Sequence, residues 1–356
     1  MLKFYIVQTA AFFFSICMSA VAVAAPTPRG TVQSYDGYGS WLVACDNTLS
    51  CVVKGFNSSD QGAEIKIERQ AGSNGTLTVS ISADQSFTLD AITIDGEPVG
   101  LPTASWQVAS ADGETSATSD DLEAIRSLVQ RLRNASKVTL GGHEIPLDGF
   151  TAALLRADDR QGRIGGVTAL LRAGPKASAD VLQPVPLPII PYHPISQRLD
   201  AGEGVGLVAT VRSSQTTALE KEDCELGLST PEPEAYALDS RQALVLIPCL
   251  QGAYQSSLLA FIVQRDLGQA QRLIAPTPYI GNDPTQSDAA IFTEVSFDPT
   301  RGVLSTAAKG RAMADCGSSA SWIWDGQKFQ LSELTLQNSC GGLAPGDWPT
   351  LFRSTH

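Results

Sequence analysis

Six cysteines fall into three local pairs along the sequence, and this spacing constrains the fold more than any other feature. The pairs are Cys45 with Cys51, Cys224 with Cys249, and Cys316 with Cys340. An even number of cysteines in an exported chain is typical of disulfides, although six cysteines allow fifteen pairings. We predict the sequential set. No C-x-x-C or similar Cys/His spacing is present, so the sequence predicts no zinc site.

The N-terminal segment, residues 1–24, is predicted to be a secretory signal. It carries one charge, at Lys3, then an apolar stretch, and ends in the A-x-A pattern of residues 22–24. A transmembrane anchor is the alternative, but polar residues interrupt the stretch, which falls short of about 20 apolar residues. Cleavage near Ala24 would remove the seventh cysteine, Cys17. The mature chain would then have no membrane span and would lie outside the cytoplasm.

The charge balance restricts the partners of this chain. The net charge is −12, and removal of the signal, which holds Lys3 and no acid, makes it −13. Such a surface repels nucleic acid and anionic lipid. The sequence therefore predicts no nucleic-acid partner and leaves an envelope protein or a small ligand.

Apolar periodicity predicts an α+β fold, mostly antiparallel β, with two β-rich domains joined by a proline-rich linker and held by three local disulfides. The predicted domains are residues 25–173, with two helices, and residues 195–356. The linker, residues 174–194, contains six prolines. It is too apolar to be wholly solvated, so we expect it to lie against one or both domains.

The first cysteine pair predicts a stapled hairpin. Alternation places Trp41, Val43 and Cys45 on one face of a strand, and a short polar turn leads to the returning strand. That face is predicted to be core. The turn would display Asp46 and Asn47, which are therefore candidate binding residues.

The remaining elements are assigned from periodicity and turn residues. In the first domain we predict strands at 64–68, 77–81, 91–94 and 167–171, and helices at about 120–134 and 150–160. In the second domain we predict strands at 205–211, 243–249, 257–263, 290–297 and 303–307, and a closing hairpin around residues 322–331.

No complete catalytic motif is present. The sequence lacks a G-x-S-x-G elbow, a P-loop, a dinucleotide fingerprint and a two-histidine zinc motif. The pairs Asp158/Asp159 and Asp283/Asp288 offer an acid and a base, but a solvated acidic face is favoured in so acidic a chain. Residues 281–290 offer oxygen ligands without EF-hand spacing, so calcium binding stays open. We predict no catalytic residue and no cofactor.

Two charged stretches supply the other candidate binding residues. Residues 156–163 contain Arg160 and Arg163, and residues 309–317 contain Lys309 and Arg311. Helical spacing favours surface ion pairs in the first stretch. The alternative for both is a partly buried network at the domain interface or at the rim of a binding groove.

Seven segments in series resemble the bacterial exported family called domain of unknown function 1176. They are WLVACDNTLSC, IPLDGFTAALLRADDRQGR, TALLRAGP, LIPCLQGAYQ, KGRAMADCG, WIWDGQKFQL and CGGLAPGDWP. The family usually has asparagine where this chain has Gln255, and arginine where it has Gly341. The resemblance implies a periplasmic protein of Gram-negative bacteria and brings no established activity. The opening hairpin and LDGFTAALL also faintly resemble the invasion-associated locus B family, which favours envelope interaction.

The absence of a catalytic constellation leads us to expect a non-enzymatic periplasmic binding or envelope-interaction protein. Two alternatives stay open. One is a hydrolase of envelope glycan or peptide that uses a carboxylate pair. The other is an inhibitor of a basic lytic enzyme, which the negative charge permits.

Overall fold

Most of the regular secondary structure is antiparallel β in this computed structural model, which describes residues 32–59, 62–222, 224, 232–277, 289–343 and 345–356. This confirms the predicted fold class. The predicted signal and the pair Asp283/Asp288 lie outside the described residues. Within the described residues, no helix is long and apolar enough to cross a membrane.

The bounds of the elements follow. The strands are β1 (Ser34–Tyr38), β2 (Trp41–Cys45), β3 (Cys51–Phe56), β4 (Ala63–Arg69), β5 (Leu77–Ala83), β6 (Thr93–Ile94), β7 (Glu97–Pro98), β8 (Gln107–Ala111), β9 (Glu114–Ser119), β10 (Lys137–Leu140), β11 (His143–Pro146), β12 (Glu234–Ala237), β13 (Gln242–Gln251), β14 (Ser256–Gln264), β15 (Ala270–Arg272), β16 (Phe292–Thr293), β17 (Ser296–Asp298), β18 (Val303–Lys309), β19 (Gly317–Trp324), β20 (Phe329–Gln337) and β21 (Thr350–Arg353). The helices are α1 (Leu122–Leu132), α2 (Phe150–Arg160), α3 (Glu203–Ser214) and α4 (Thr216–Lys221), with 3-10 turns at Leu89–Ala91 and Ser178–Asp180.

These strands form four sheets. The first sheet has the order β1-β2-β3-β4-β5-β9-β8, and the second has the order β11-β10-β6-β7. The third sheet runs β12-β13-β14-β15, with β16 also paired to β14, and the fourth runs β17-β18-β19-β20-β21. The described residues form one compact unit. The division into domains 25–173 and 195–356 stays a prediction.

Strand β2 of the first sheet is covered on both faces. Trp41, Val43 and Cys45 face a core built with α1, α2 and the second sheet, as the alternation predicted. Leu42 and Ala44, on the opposite face, belong to a second core shared with the third and fourth sheets. Every residue of β2 is therefore buried. This second core joins the two halves of the chain, and the sequence pattern gave no sign of it.

All three predicted disulfides are present. Cys45 and Cys51 are directly opposite one another across β2 and β3, with their α-carbons 4.0 Å apart. Cys224 is bonded to Cys249, and Cys316 is bonded to Cys340. The first bridge closes a hairpin, whereas the other two connect residues 25 and 24 positions apart.

The predicted strand at 205–211 is wrong, because these residues lie in α3. The helix begins after Gly202, whose φ of 81° is accessible to glycine at little cost. Leu207 and Val211, four residues apart, pack against the third sheet. A short apolar run fits a helix or a strand equally well, and only the packing partner decides between them.

The predicted strand at 167–171 is also wrong. Leu170 donates its backbone N–H to Oδ2 of Asp158 at 2.9 Å, so this group does not bond to a neighbouring strand. The helix predicted at 150–160 has the bounds of α2. The other helix, α1, lies within the predicted range of about 120–134 and is capped by Asp121, whose side chain accepts from the N–H of Ala124.

The proline-rich segment, residues 174–194, contacts both halves of the chain. In the N-terminal half, the carbonyl of Leu182 accepts from the backbone N–H of Gly72, and the N–H of Leu182 donates to the carbonyl of Gln161. Further on, Ile190 donates to Thr355 O at 2.8 Å, and Thr355 donates back to Pro188 O at 3.0 Å. The segment lies against its neighbours as predicted, and its far end runs beside the C-terminus.

Candidate functional site

The predicted binding turn after β2 is buried. Oδ1 of Asp46 accepts hydrogen bonds from the backbone N–H groups of Thr48 (2.8 Å) and Ser50 (2.9 Å), and Oδ2 lies 2.8 Å from Nε of Arg353. Asn47 forms two hydrogen bonds with the backbone of Arg353. The expectation that the turn displays Asp46 and Asn47 is therefore corrected, because the C-terminal strand β21 covers their side chains. Their role in binding stays a prediction.

Arg163 lies inside the N-terminal half. Its guanidinium donates to the backbone carbonyl of Gly72 (2.8 Å), to Gln161 Oε1 (2.8 Å) and to Thr168 Oγ1 (3.0 Å). Gln161 in turn donates to the carbonyl oxygens of Leu49 and Arg69. These contacts pin the chain that follows α2 to the first hairpin and to β4. Arg163 is therefore buried, and its hydrogen bonds connect the segment after α2 to the turn that follows β4.

Asp158 and Asp159 do not converge in a cleft. Asp158 is buried 3.7 Å from the guanidinium of Arg69, whereas Asp159 is exposed and pairs with Arg156 at 3.8 Å, as the helical spacing predicted. Burial raises the pKa of Asp158 against the lowering effect of its hydrogen bonds. Burial, together with the charge of Arg163, lowers the pKa of Arg69 to about 10. The pair lacks the facing geometry of a glycosidase.

The remaining predicted residues lie in separate places. Arg160, at the end of α2, donates to the carbonyl of Val32. Lys309, at the end of β18, exchanges two backbone hydrogen bonds with the side-chain amide of Gln255, both of 3.0 Å. Arg311 pairs with Asp315 through an Nε–Oδ1 contact of 2.8 Å, and this hydrogen bond lowers the pKa of Asp315.

Asp315 is also close to the sulfurs of Cys316 and Cys340, a grouping that resembles a metal-ligand set. The two sulfurs are bonded to each other and are not thiolates. This group therefore offers a metal only the carboxylate.

A cluster of charges joins the first sheet to the segment before β21. Nζ of Lys54 lies 3.2 Å from Glu64 and 3.1 Å from Asp347, and Lys66 is also 3.1 Å from Asp347. Burial opposes the ionisation of Asp347, but the two lysines outweigh it and lower its pKa. Lys54 and Glu64 are almost fully buried. Lys54, Lys66 and Asp347 line a polar cleft of about 330 Å³ whose charged groups are largely paired with one another.

A second and larger cleft, the apolar groove, has a volume of about 760 Å³. Three parts of the chain supply most of its lining: the end of the proline-rich segment, β15 with the residues that follow it, and the turn between β19 and β20 with the residues on either side. Ile262 of β14 and Phe352 of β21 complete it. Its lining residues are Pro188, Ile189, Ile190, Ile262, Gln271, Arg272, Leu273, Ile274, Pro276, Thr277, Trp324, Gln327, Lys328, Phe329, Gln330, Leu331 and Phe352.

The lining combines buried aromatic rings with exposed aliphatic side chains. Trp324 and Phe329 are buried, and their ring centroids are 5.3 Å apart. Ile189 is 78% exposed and Ile274 is 50% exposed. Large aliphatic side chains open to water beside a concave surface mark sites that bind ligands or partners.

Hydrogen bonds and one ring contact hold the walls of the groove in place. Asp325 accepts from the backbone N–H groups of Gln327 (2.8 Å) and Lys328 (2.9 Å), which fixes the turn between β19 and β20. Leu273 donates to Ala260 O at 2.8 Å, which fixes the chain after β15. On the third wall, the ring of Tyr192 stacks on His356, with 4.4 Å between centroids. These contacts define the shape of the groove.

Sequence reasoning missed this groove. The sequence indicates the apolar residues of the proline-rich segment and the hairpin around residues 322–331. It does not show that these distant segments lie side by side. None of the predicted site residues lines the groove: Asp46, Asn47, Arg160, Arg163, Lys309 and Arg311 all lie elsewhere. Of these, Asp46 lines the polar cleft.

The fold and the groove define an antiparallel β protein, closed by three disulfides, with a concave apolar site. The chain belongs to the family described as "Protein of unknown function (DUF1176)", whose model matches residues 35–355. It is 28% identical over 365 residues to a protein of Escherichia coli (strain K12) called "Uncharacterized protein YpfG". The alignment covers 96% of this chain and 97% of the relative. No solved structure gives a significant match. The similarity to the invasion-associated locus B family is not shown by these comparisons.

Proposed function

We propose that this chain is an exported, non-enzymatic binding protein that holds a small apolar ligand in the apolar groove. The observation that carries the proposal is the groove itself, with its volume of about 760 Å³, buried rings and exposed aliphatic rim. Binding sites for small molecules are mostly apolar clefts of about 300–1,000 Å³ with a few polar groups.

Three disulfides support an oxidising compartment and therefore export to the periplasm. The predicted signal at residues 1–24 supports the same location. The divergence of Asp158 and Asp159 makes the hydrolase alternative less favourable for that pair.

Fluorescence titration tests the proposal. The oxidised protein is titrated with N-phenyl-1-naphthylamine, an uncharged probe whose emission rises in apolar surroundings. We expect saturable binding by the wild type. Ile189→Gln and Ile274→Gln each remove apolar contact at the rim and should weaken binding about fivefold, the equivalent of roughly 1 kcal/mol.

Two matched controls lie outside the groove. Val205 is 76% exposed and Leu250 is 51% exposed, close to the values for Ile189 and Ile274. Val205→Gln and Leu250→Gln should leave the affinity unchanged, and urea unfolding of all four variants checks that each is folded. The proposal is wrong if the wild type does not bind the probe, or if the control variants lose as much affinity as the groove variants.

A further inference from the structure

The charges in the apolar groove are of one sign. Among the described residues that line it, Arg272 and Lys328 are cationic and none is acidic. This contrasts with the chain as a whole, whose net charge is −12. The two cations lie on different walls, Arg272 on β15 and Lys328 in the turn before β20.

The surroundings of the two cations differ. The guanidinium of Arg272 is anchored, because Nη1 donates to Glu222 (3.0 Å) and Nη2 donates to the carbonyl of Ala290 (3.1 Å). Lys328 is exposed and takes part in none of the ion pairs found within the described part of the chain. Its ammonium group interacts electrostatically with Asp325 of the same turn, but it is exposed and can reach a ligand.

Two N–H groups of the lining have no hydrogen-bond acceptor among the residues that the structure describes. Nε of Arg272 and Nε1 of Trp324 are buried, and neither has a hydrogen-bond partner among the described residues. Both are donors, so the unmet demand in the groove walls is for oxygen acceptors. Buried polar groups are paired in the great majority of cases, and exceptions call for an explanation.

We propose that the ligand of the apolar groove is an amphipathic anion, with an apolar body against the aromatic rings and a carboxylate or phosphate group recognised by Arg272 and Lys328. This inference rests on the proposed function, since it specifies the chemical class of the ligand. A cationic head group would meet like charge in the groove, and a neutral head group would gain no electrostatic attraction from Lys328.

Competition with the uncharged probe separates these ligand classes. Dodecanoate, dodecyl phosphate, dodecan-1-ol and dodecyltrimethylammonium share one chain and differ only in the head group. We expect the two anions to displace the probe at concentrations about fivefold lower than the alcohol, and the ammonium compound to be the weakest. Raising the salt from about 0.05 to about 0.5 M should reduce the advantage of the anions and leave the alcohol unaffected.

A charge-removing variant locates the effect. Lys328→Gln should weaken dodecanoate binding about threefold and leave dodecan-1-ol unchanged, since an exposed pair contributes little more. Arg172→Gln is the matched control, because Arg172 is exposed, carries the same charge and lies outside the groove. It should leave both affinities unchanged.

The outcomes separate the two proposals. Equal displacement by all four compounds, or equal effects of Lys328→Gln and Arg172→Gln, would overturn the inference about the anion and leave the apolar site intact. Failure of the probe itself to bind would overturn the proposed function. An anion preference that Lys328→Gln reduces supports both.

Discussion

Arg353, in the last strand, lies with its Nε 2.8 Å from Oδ2 of Asp46, in the turn that the first disulfide closes. Asp46 is buried, whereas the side chain of Arg353 is partly exposed. The ion pair therefore connects the beginning of the described chain to its end. The short disulfide shapes the turn, and Arg353 determines that the turn is covered.

Replacement of Asp46 tests this connection. Asp46→Ala removes the acceptor for Thr48 and Ser50 together with the partner of Arg353, so we expect a loss of about 2–4 kcal/mol in the free energy of unfolding. Asp46→Asn keeps a carbonyl oxygen and should lose about half as much. Urea denaturation of the oxidised variants measures both. A loss below about 0.5 kcal/mol for Asp46→Ala would contradict the importance of the turn.

The buried lysine in the polar cleft provides a second prediction. Lys54→Met leaves Glu64 buried without its main counterion, and we expect the free energy of unfolding to fall by about 3–5 kcal/mol. The double variant Lys54→Met/Glu64→Gln should regain part of this loss, because the uncompensated charge is gone. Lys66→Met is the control. Because Lys66 is more exposed, its replacement should lower the free energy of unfolding by less. Additive losses in a urea double-mutant cycle would show that the two residues do not act as a pair.

The N-terminus of α3 provides a pH-dependent prediction. Hydrogen bonds from Arg265, at 2.6 and 2.9 Å, and from the backbone of Asp200 lower the pKa of Glu203 to about 2 from its usual 4.5. A carboxyl group with a lowered folded-state pKa stabilises the protein above its unfolded-state pKa, and the contribution disappears as the pH falls through the folded-state value. The stability difference between wild type and Glu203→Gln should therefore be about 1 kcal/mol near neutrality and should shrink between pH 4.5 and about 2.

Urea unfolding across this pH range measures the difference. Glu333→Gln, at an exposed position of β20, is the control and should show no comparable change. The role assigned to Arg265 would be contradicted if the stability difference between wild type and Glu203→Gln stayed constant from neutral pH down to pH 2.5, which lies between the pKa values of about 2 and 4.5.

A close contact at Gly341 provides the last prediction. A β-carbon at Gly341 would lie 2.1 Å from Cδ2 of Phe56, and φ is 145° there. Gly341→Ala should therefore cost about 2–4 kcal/mol of unfolding free energy, through both overlap and backbone strain. Gly346 also has a positive φ, 76°, but a β-carbon there would meet nothing within 4 Å. Gly346→Ala should cost only about 1 kcal/mol, and equal losses in a denaturation series would show that the contact with Phe56 is unimportant.

Local patterns explain which elements were predictable. The first hairpin, the bounds of α2 and the turn at Asp325 each follow from residues within a short window: alternating apolar side chains, a stripe at helical spacing, and turn-forming residues. The prediction at 205–211 was wrong because this short run mixes apolar and small residues and fits the period of a strand and that of a helix equally well. Leu207 and Val211 settle the question through packing on a sheet formed by residues much later in the chain.

The candidate site depends even more on contacts between distant residues, which local sequence patterns do not indicate. Asp46 was expected at the surface because it lies in a polar turn, and no local signal foretells that Arg353 will cover it. The groove walls come from three segments, around Ile189, Ile274 and Phe329, which are far apart in the sequence. Their proximity depends on the shared core between the first sheet and the third and fourth sheets, which has no signature in any single segment.

The sequence by itself determined the antiparallel β character, the disulfide pairing and the net negative charge, because side-chain alternation, cysteine spacing and composition act locally or as sums over the chain. The tertiary structure alone decided which charges are buried and where a ligand-sized apolar surface stays open. Both depend on which distant segments meet, and the free energy of such contacts is set by desolvation and packing that no window of residues contains.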